Sequence, residues 1–191
     1  MDIIIITGPP YSGKGTQCQF LKDTFNLAHV STGDRIREEK ENKTEVGKLM
    51  SEYADRGELV PDEVMKNLFG NVIDENLNKA GIILDGYPRT KPQVDTLLEL
   101  ASEKNTPITH VLNIEVPTEE LLKRAKKRAA TSDREDDKNE QTHLKRIKVF
   151  EESTKPAIEY LKSKVNVLNI NGLGDIKGIT ETISNHLASK A

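Results

Sequence analysis

The sequence predicts an α/β fold: one parallel sheet of five strands with helices packed on both faces. Three observations carry this. Five short runs rich in β-branched residues alternate with longer stretches of helical character, the pattern of strand–helix–strand units. The clearest run, Ile3-Ile4-Ile5-Ile6, is continuously apolar rather than alternating, as expected of a strand covered on both sides. A glycine-bearing turn, Gly8 to Gly13, leads from that run into the first helical stretch. At 191 residues the chain is long enough to build one good core and fits one domain.

Taken in order, residues 3–7 read as the first strand and 13–25 as the first helix. Residues 28–31 form a second short strand. A helical region over 33–56 follows, broken from the next by Gly57. Asp62 is placed to N-cap a helix running towards Lys79. Residues 82–85 are a buried strand, 92–104 a helix, 110–115 a strand and 118–130 a helix. Residues 131–137 read as a loop. A long helical stretch over 139–164 contains Pro156. Residues 165–170 are the last strand and 176–189 the last helix. There is no internal repeat and no low-complexity segment.

Composition narrows the function. Lys and Arg number 28 against 31 Asp and Glu, a net charge of −3. That balance lacks the basic excess of a nucleic-acid surface, so anion binding must be local. The single cysteine, Cys18, rules out an internal disulfide and a four-cysteine zinc site, and points to a reducing compartment. The aliphatic run 3–6 is far too short to span a bilayer, and the first residues lack the basic and apolar regions of a signal peptide. The expectation is a cytoplasmic protein without membrane or nucleic-acid partners. His29, His110, His143 and His186 are scattered without ligand spacing, and Cys18 reads as a small core residue.

Two segments carry chemistry. Gly8-Pro9-Pro10-Tyr11-Ser12-Gly13-Lys14-Gly15-Thr16 has the spacing of a phosphate-binding loop in the required strand–loop–helix context. Gly8 and Gly13 let the backbone fold tightly enough to aim N–H groups at phosphate oxygens. The helix start adds its partial positive charge, and Lys14 supplies an ammonium for the phosphoryl group in transit. Gly15 follows the lysine and the hydroxyl comes one residue later, at Thr16. Magnesium is therefore expected to be held mostly by the ligand's phosphates, water and a carboxylate elsewhere. Tyr11 is the oddity, because a bulky side chain resists left-handed backbone angles. A φ below zero is expected, with the ring turned outward from the loop towards residues 129–137.

The second segment is Gly81-Ile82-Ile83-Leu84-Asp85-Gly86-Tyr87-Pro88-Arg89-Thr90-Lys91-Pro92-Gln93. Asp85 ends an apolar run, so it can face the phosphate loop and hold magnesium through water. Gly86 permits close backbone approach, Arg89 offers a planar fork for a phosphate, and Gln93 has a donor and an acceptor for a base edge.

With Gly15-Thr16-Gln17 ending the loop, the sequence resembles the adenylate kinase and uridylate/cytidylate kinase group, in its short-lid form. The resemblance extends along the whole chain and implies a P-loop kinase fold with a small acceptor-binding segment, about 31–60, and a short lid, about 129–137. It implies reversible transfer of the terminal phosphoryl group of ATP to AMP, giving two ADP, by a monomer using Mg2+ and no zinc.

By that resemblance Gly8, Tyr11, Ser12, Gly13, Lys14, Gly15 and Thr16 hold ATP phosphates. Arg124 stacks on the adenine of ATP, Arg128 contacts its phosphates, and Gly174 touches the adenine through backbone. In Ser31-Thr32-Gly33-Asp34-Arg35-Ile36-Arg37, Thr32 contacts the acceptor base region and Arg37 its phosphate. Glu58, Leu59 and Val60 touch the acceptor nucleoside, and Gly86, Tyr87, Pro88, Arg89 and Gln93 complete the AMP side. Arg134 and Arg146 match the lid arginines that reach both nucleotides, so that Lys14, Arg89, Arg134 and Arg146 form the catalytic set. Lys145 competes with Arg146 for its place.

Thr32, where pyrimidine enzymes more often have alanine, and Thr90, where they usually have asparagine, point to AMP. The alternatives are a UMP or CMP kinase, a kinase for another small metabolite, or a nucleotide-binding regulatory module without turnover.

Overall fold

The computed structural model describes residues 1–132 and 137–189. Strands β1 (Asp2–Thr7), β2 (Ala28–Ser31), β3 (Gly81–Asp85), β4 (Ile108–Glu115) and β5 (Val167–Asn171) form one sheet in the order β2-β3-β1-β4-β5. All four neighbouring pairs are parallel. From β1 the chain passes over β3 to the edge strand β2 and returns to β3. It then crosses β1 to reach β4. The direction of winding thus reverses beside β1, where a crevice opens at the carboxyl edge.

The isoleucine run shows why the sheet is covered on both faces. Ile3 and Ile5 enter one core with Phe69, Tyr87 and Leu97, while Ile4 and Ile6 enter another with Cys18, Leu21 and Ile183. Side chains alternate across a strand, so an unbroken apolar run serves both layers. Each such burial contributes roughly 1.5–3 kcal/mol relative to exposure. The covering helices are α1 (Lys14–Phe25), α2 (Thr32–Glu41), α3 (Glu45–Asp55), α4 (Asp62–Asn76), α5 (Lys91–Glu103), α6 (Thr118–Thr131), α7 (Glu140–Val149), α8 (Lys155–Lys162) and α9 (Ile176–Ala188). Among the described residues no helix is long and apolar enough to cross a membrane.

Three expectations need correction, and one gains a detail. The helical region 33–56 is two helices, because Lys43 turns left-handed at φ 56 and Thr44 caps α3 by accepting from the Gly47 N–H at 2.9 Å. Such a cap is worth about 1 kcal/mol. The stretch 139–164 is helical as expected, without a break from Glu140 to Lys162, and contains a π-helical turn at Phe150–Thr154 between α7 and α8. Pro156 explains the wider turn, since its ring lacks an N–H and crowds the carbonyl four residues back. Asp62 is the first helical residue of α4 rather than its cap. Its carboxylate serves other partners, described below. Strand β5 starts at Val167 rather than Val165, because the N–H groups of Lys164 and Val165 both close on the Leu161 carbonyl at the end of α8.

Candidate active site

Register brings the motifs together. Asp85 pairs with Ile6 of β1 on one side and with Ser31 of β2 on the other. The phosphate loop, the acceptor motif and the Asp85 segment therefore leave the sheet at one level. They line a single cavity of about 910 Å³.

The loop folds as its glycines predict. A Cβ on Gly8 would lie 2.4 Å from the Ile114 carbonyl oxygen, so only glycine fits against β4. Gly13, at φ 96, precedes α1 in the left-handed region. Lys14 curls back so that its ammonium donates to the Gly8 and Pro9 carbonyls at 3.0 and 2.8 Å. Burial, with Arg89 and Arg128 adding to it against Asp85, lowers its pKa to about 8. Ser12 is buried beneath the loop, while Gly15 and Thr16 line the cavity.

Tyr11 departs from expectation. Its φ is 67, not negative, a conformation costing about 1–3 kcal/mol for a bulky residue. Tertiary contacts hold it there. The hydroxyl bonds His143 Nδ1 on α7, and the Arg128 guanidinium lies 5.9 Å from the ring centre. His143 Nε2 is 2.6 Å from the Asp137 carbonyl. A carbonyl only accepts, so Nε2 carries the proton and bare Nδ1 accepts from Tyr11. The ring does point to the lid base, as expected.

On the acceptor side, Arg37 folds back to Asp34 in the first turn of α2. Thr32 is 4% exposed, and its hydroxyl has no partner among the described residues. A buried hydroxyl left bare is costly unless a ligand satisfies it. Gly86, at φ 85, lets Arg89 pass close by: a Cβ there would meet Arg89 Nη2 at 2.7 Å. Arg89 Nε donates to the Gly86 carbonyl at 2.7 Å. Tyr87 is buried and stacks on Phe69 at 3.8 Å. It supports the site from below, whereas Pro88 lines the cavity.

Gln93, 2% exposed, accepts from the Arg89 N–H and donates to Asp62, both at 2.8 Å. An amide has two N–H groups and two oxygen lone pairs, so one of each remains for a base edge. Leu59 and Glu58 line the cavity, with Val60 buried beside them. Glu58 carboxylate oxygens accept from Lys145 and Arg56, and those two cations hold its carboxyl below the usual range.

Of the two lid competitors, Lys145 is thus engaged with Glu58, while Arg146 lines the cavity. Arg146 donates to Asp137 at 3.2 Å, and Arg128 to its other oxygen at 2.7 Å. Asp137 is fully buried. Burial alone would raise its carboxyl, but the bonds from Arg128 and Ser132 bring it below the ordinary value. Arg134 lies outside the described residues. Arg124 sits behind the loop, donating to Gly172 O at 2.8 Å and reaching the Tyr11 and Ser12 carbonyls. Gly174 follows in the same turn, away from the cavity lining.

Asp85 faces the loop, 3.8 Å from where a Gly15 Cβ would lie. Burial raises its carboxyl, but a 3.3 Å contact with His29 Nε2 and the Lys14 charge more than offset this. Asp85 offers the hard carboxylate oxygens that magnesium prefers. Sequence reasoning missed four supporting residues: His29 beside Asp85, Asp62 under Gln93, Asp137 between two arginines, and His143 under Tyr11. Only Asp137 left a signal, as the end of the charged run that opens with Arg134. The histidines have no ligand spacing in the sequence, yet the fold brings a ring nitrogen of His29 within 4.8 Å of the Cys18 sulfur and an Asp85 carboxylate oxygen.

Comparison with known proteins agrees with this architecture. The family profile described as adenylate kinase matches residues 6–166. An adenylate kinase of Bacteroides fragilis is 43% identical over 180 residues, covering 94% of this chain and 95% of its own. One from Bifidobacterium longum is 40% identical over 184 residues, covering 96% and 98%. One from Methanothrix thermoacetophila is 37% identical over 211 residues, covering 97% and 98%. Matches of this extent run through the phosphate loop, the acceptor segment and the lid base alike, and the chain belongs to the adenylate kinase family.

Proposed function

We propose that this chain performs the family's reaction with the residues described above, passing the terminal phosphoryl group of ATP reversibly to AMP and giving two ADP. The observation that carries it is the shared cavity: the phosphate loop and the arginine-lined acceptor pocket open into one space without a wall between them. Two polyanions can meet there in line, and the chain contributes position and positive charge. Lys14 exchanges its loop carbonyls for phosphate oxygens. Arg37, Arg128 and Arg146, held by Asp34 and Asp137 without ligand, exchange carboxylate partners for phosphates, with Arg134 as a further lid cation. Arg89 anchors the acceptor phosphate beside Gly86, and the bare Thr32 hydroxyl and Gln93 amide meet the acceptor base. Asp85 would hold magnesium through water with the ATP phosphates, where it neutralises charge. No general base is required, because the acceptor phosphate is already an anion. We further place the protein in the cytoplasm as a monomer acting without zinc in its short lid.

The test is ADP formation from ATP and Mg2+ with AMP, UMP and CMP in turn, repeated after treatment with a zinc chelator. AMP-dependent ADP formation that survives the chelator supports the reading. Preference for UMP or CMP, or no turnover, overturns it.

Three further results are expected. Gln93→Ala should raise the AMP KM far more than the ATP KM, because a base-reading bond is lost. Equal effects on both would remove Gln93 from the acceptor site. Lys14 acts as the ammonium, so kcat/KM for ATP should fall as pH rises through about 8, the value burial gives it in the free protein. Bound phosphates favour the charged form, so the corresponding limb of kcat should lie at higher pH. A kcat/KM profile flat well beyond that pH contradicts this role. Tyr11→Gly should raise ATP hydrolysis without AMP relative to transfer, since the ring and its tie to His143 close the lid side of the loop. Tyr11→Phe, which keeps the ring and loses the tie, should fall between. An unchanged ratio in both variants removes Tyr11 from shielding.

A further inference from the structure

We propose that Cys18, His29 and Asp85 form an inhibitory site for a soft divalent cation, Zn2+ in particular. The inhibitory part rests on the function proposed above. The thiol sulfur, an imidazole nitrogen and a carboxylate oxygen all lie within 4.8 Å of one another. Zinc bonds of about 2.0–2.3 Å in a tetrahedron put neighbouring ligand atoms roughly 3.3–3.8 Å apart. His29 Nε2 and Asp85 Oδ2 already stand at 3.3 Å, so a small movement of the sulfur completes the face.

The three ligands come from α1, β2 and β3, and parallel register fixes two of them: His29 pairs with Ile83 and Ser31 with Asp85. The group is therefore built by the sheet rather than by chance neighbours on one helix. His29 and Asp85 line the cavity, whereas Cys18 is fully buried behind them. An ion entering from the cavity meets three protein donors and keeps its fourth position towards the nucleotide space, the open arrangement zinc tolerates.

The surroundings fit such an ion. Gln19 Nε2, the donor end of the side-chain amide, lies 3.2 Å from His29 Nδ1. Turned so that Oε1 faces the ring, that amide accepts the Nδ1 proton and leaves Nε2 bare for a metal, the usual support for a histidine ligand. Sulfur selects against magnesium, a hard ion that takes oxygen donors, and for zinc or cadmium. On binding, the Cys18 thiol releases its proton to solvent and bonds the ion as thiolate. Asp85 is then withdrawn from the phosphate loop, and one net positive charge, that of the ion less the proton the thiol has lost, is added beside Lys14. Phosphoryl transfer should stop while the fold persists.

The experiment uses the whole purified chain, Cys18→Ala and the near-isosteric Cys18→Ser. Binding is followed by titration with Zn2+ and, separately, by the absorption spectrum with Co2+, whose sulfur-to-metal band reports a thiolate ligand. The expected result is one zinc per chain, a thiolate band in the cobalt form, and zinc inhibition of ADP formation. Cys18→Ala should bind zinc at least about tenfold more weakly, lose the band and resist inhibition, with zinc-free activity unchanged. A cobalt spectrum without the thiolate band, or equal zinc affinity and inhibition in the wild-type chain and whichever cysteine variant keeps the wild-type fold, overturns the site. Absence of ADP formation by the zinc-free wild-type chain would instead sink the proposed function and leave the spectrum to judge the site.

Discussion

Lys14→Ala is expected to lower turnover by at least about a hundredfold, a loss of roughly 2.7–4 kcal/mol of charge stabilisation at the moving phosphoryl group. The structure shows why the effect should fall on chemistry rather than folding. The ammonium makes its bonds to the carbonyls of Gly8, which lines the cavity, and of its neighbour Pro9. Water can satisfy those carbonyls once the side chain is gone, and the loop itself is fixed elsewhere, by Gly8 against Ile114 and by Arg124 against the Tyr11 and Ser12 carbonyls. Thermal melting should therefore change little while kcat collapses. Lys14→Met, which keeps the stem and loses the charge, should be nearly as slow as alanine. Near-normal turnover in a folded Lys14→Ala protein would remove the loop lysine from the mechanism.

The parts of this site that were legible in the sequence are those whose chemistry is local. A glycine-bearing turn between a strand and a helix, a lysine at its end, and a carboxylate closing an apolar strand all announce themselves, because backbone geometry alone places them. The five-strand sheet was legible through short β-branched runs alternating with helical stretches, the clearest of them the apolar run 3–6. Partners brought by tertiary contact were not. Asp62 meets Gln93 across 31 residues, and His143 meets Tyr11 across 132. No period or spacing encodes such pairs. Tyr11 shows the competition most plainly. Local sterics favour a negative φ, yet the bond to His143 and the hold of Arg124 on the Tyr11 carbonyl outweigh a cost of about 1–3 kcal/mol. The helix break at Lys43 has the same character: Gly47 packs so close to α2 that an added Cβ would meet the Glu39 carbonyl at 2.2 Å, and the chain turns sharply to allow it.

Arg89→Ala is expected to lower kcat/KM for AMP by roughly a hundredfold to a thousandfold, within the range of about 2–5 kcal/mol lost when one partner of a buried charged contact is removed. The guanidinium is held ready before any ligand arrives. Its Nε is committed to the Gly86 carbonyl, and its own N–H to Gln93 Oε1. The remaining N–H groups of the fork are thereby aimed, and little ordering remains when a phosphate binds. Arg89→Lys should recover only a small part of the loss, because an ammonium cannot both bond Gly86 and grip a phosphate in two places. Gly86→Ala supplies an independent check that leaves every charge in place. The added methyl would stand 2.7 Å from Arg89 Nη2 and 3.4 Å from the Thr32 hydroxyl, on a backbone already at φ 85. It should displace the fork and raise the AMP KM at least about tenfold, while the ATP KM changes little. If Arg89→Ala instead impairs ATP and AMP equally, the arginine belongs to both nucleotides or to the transferred group itself. If Gly86→Ala leaves AMP binding intact, the positioning of the fork by its neighbour is wrong even though the arginine is needed.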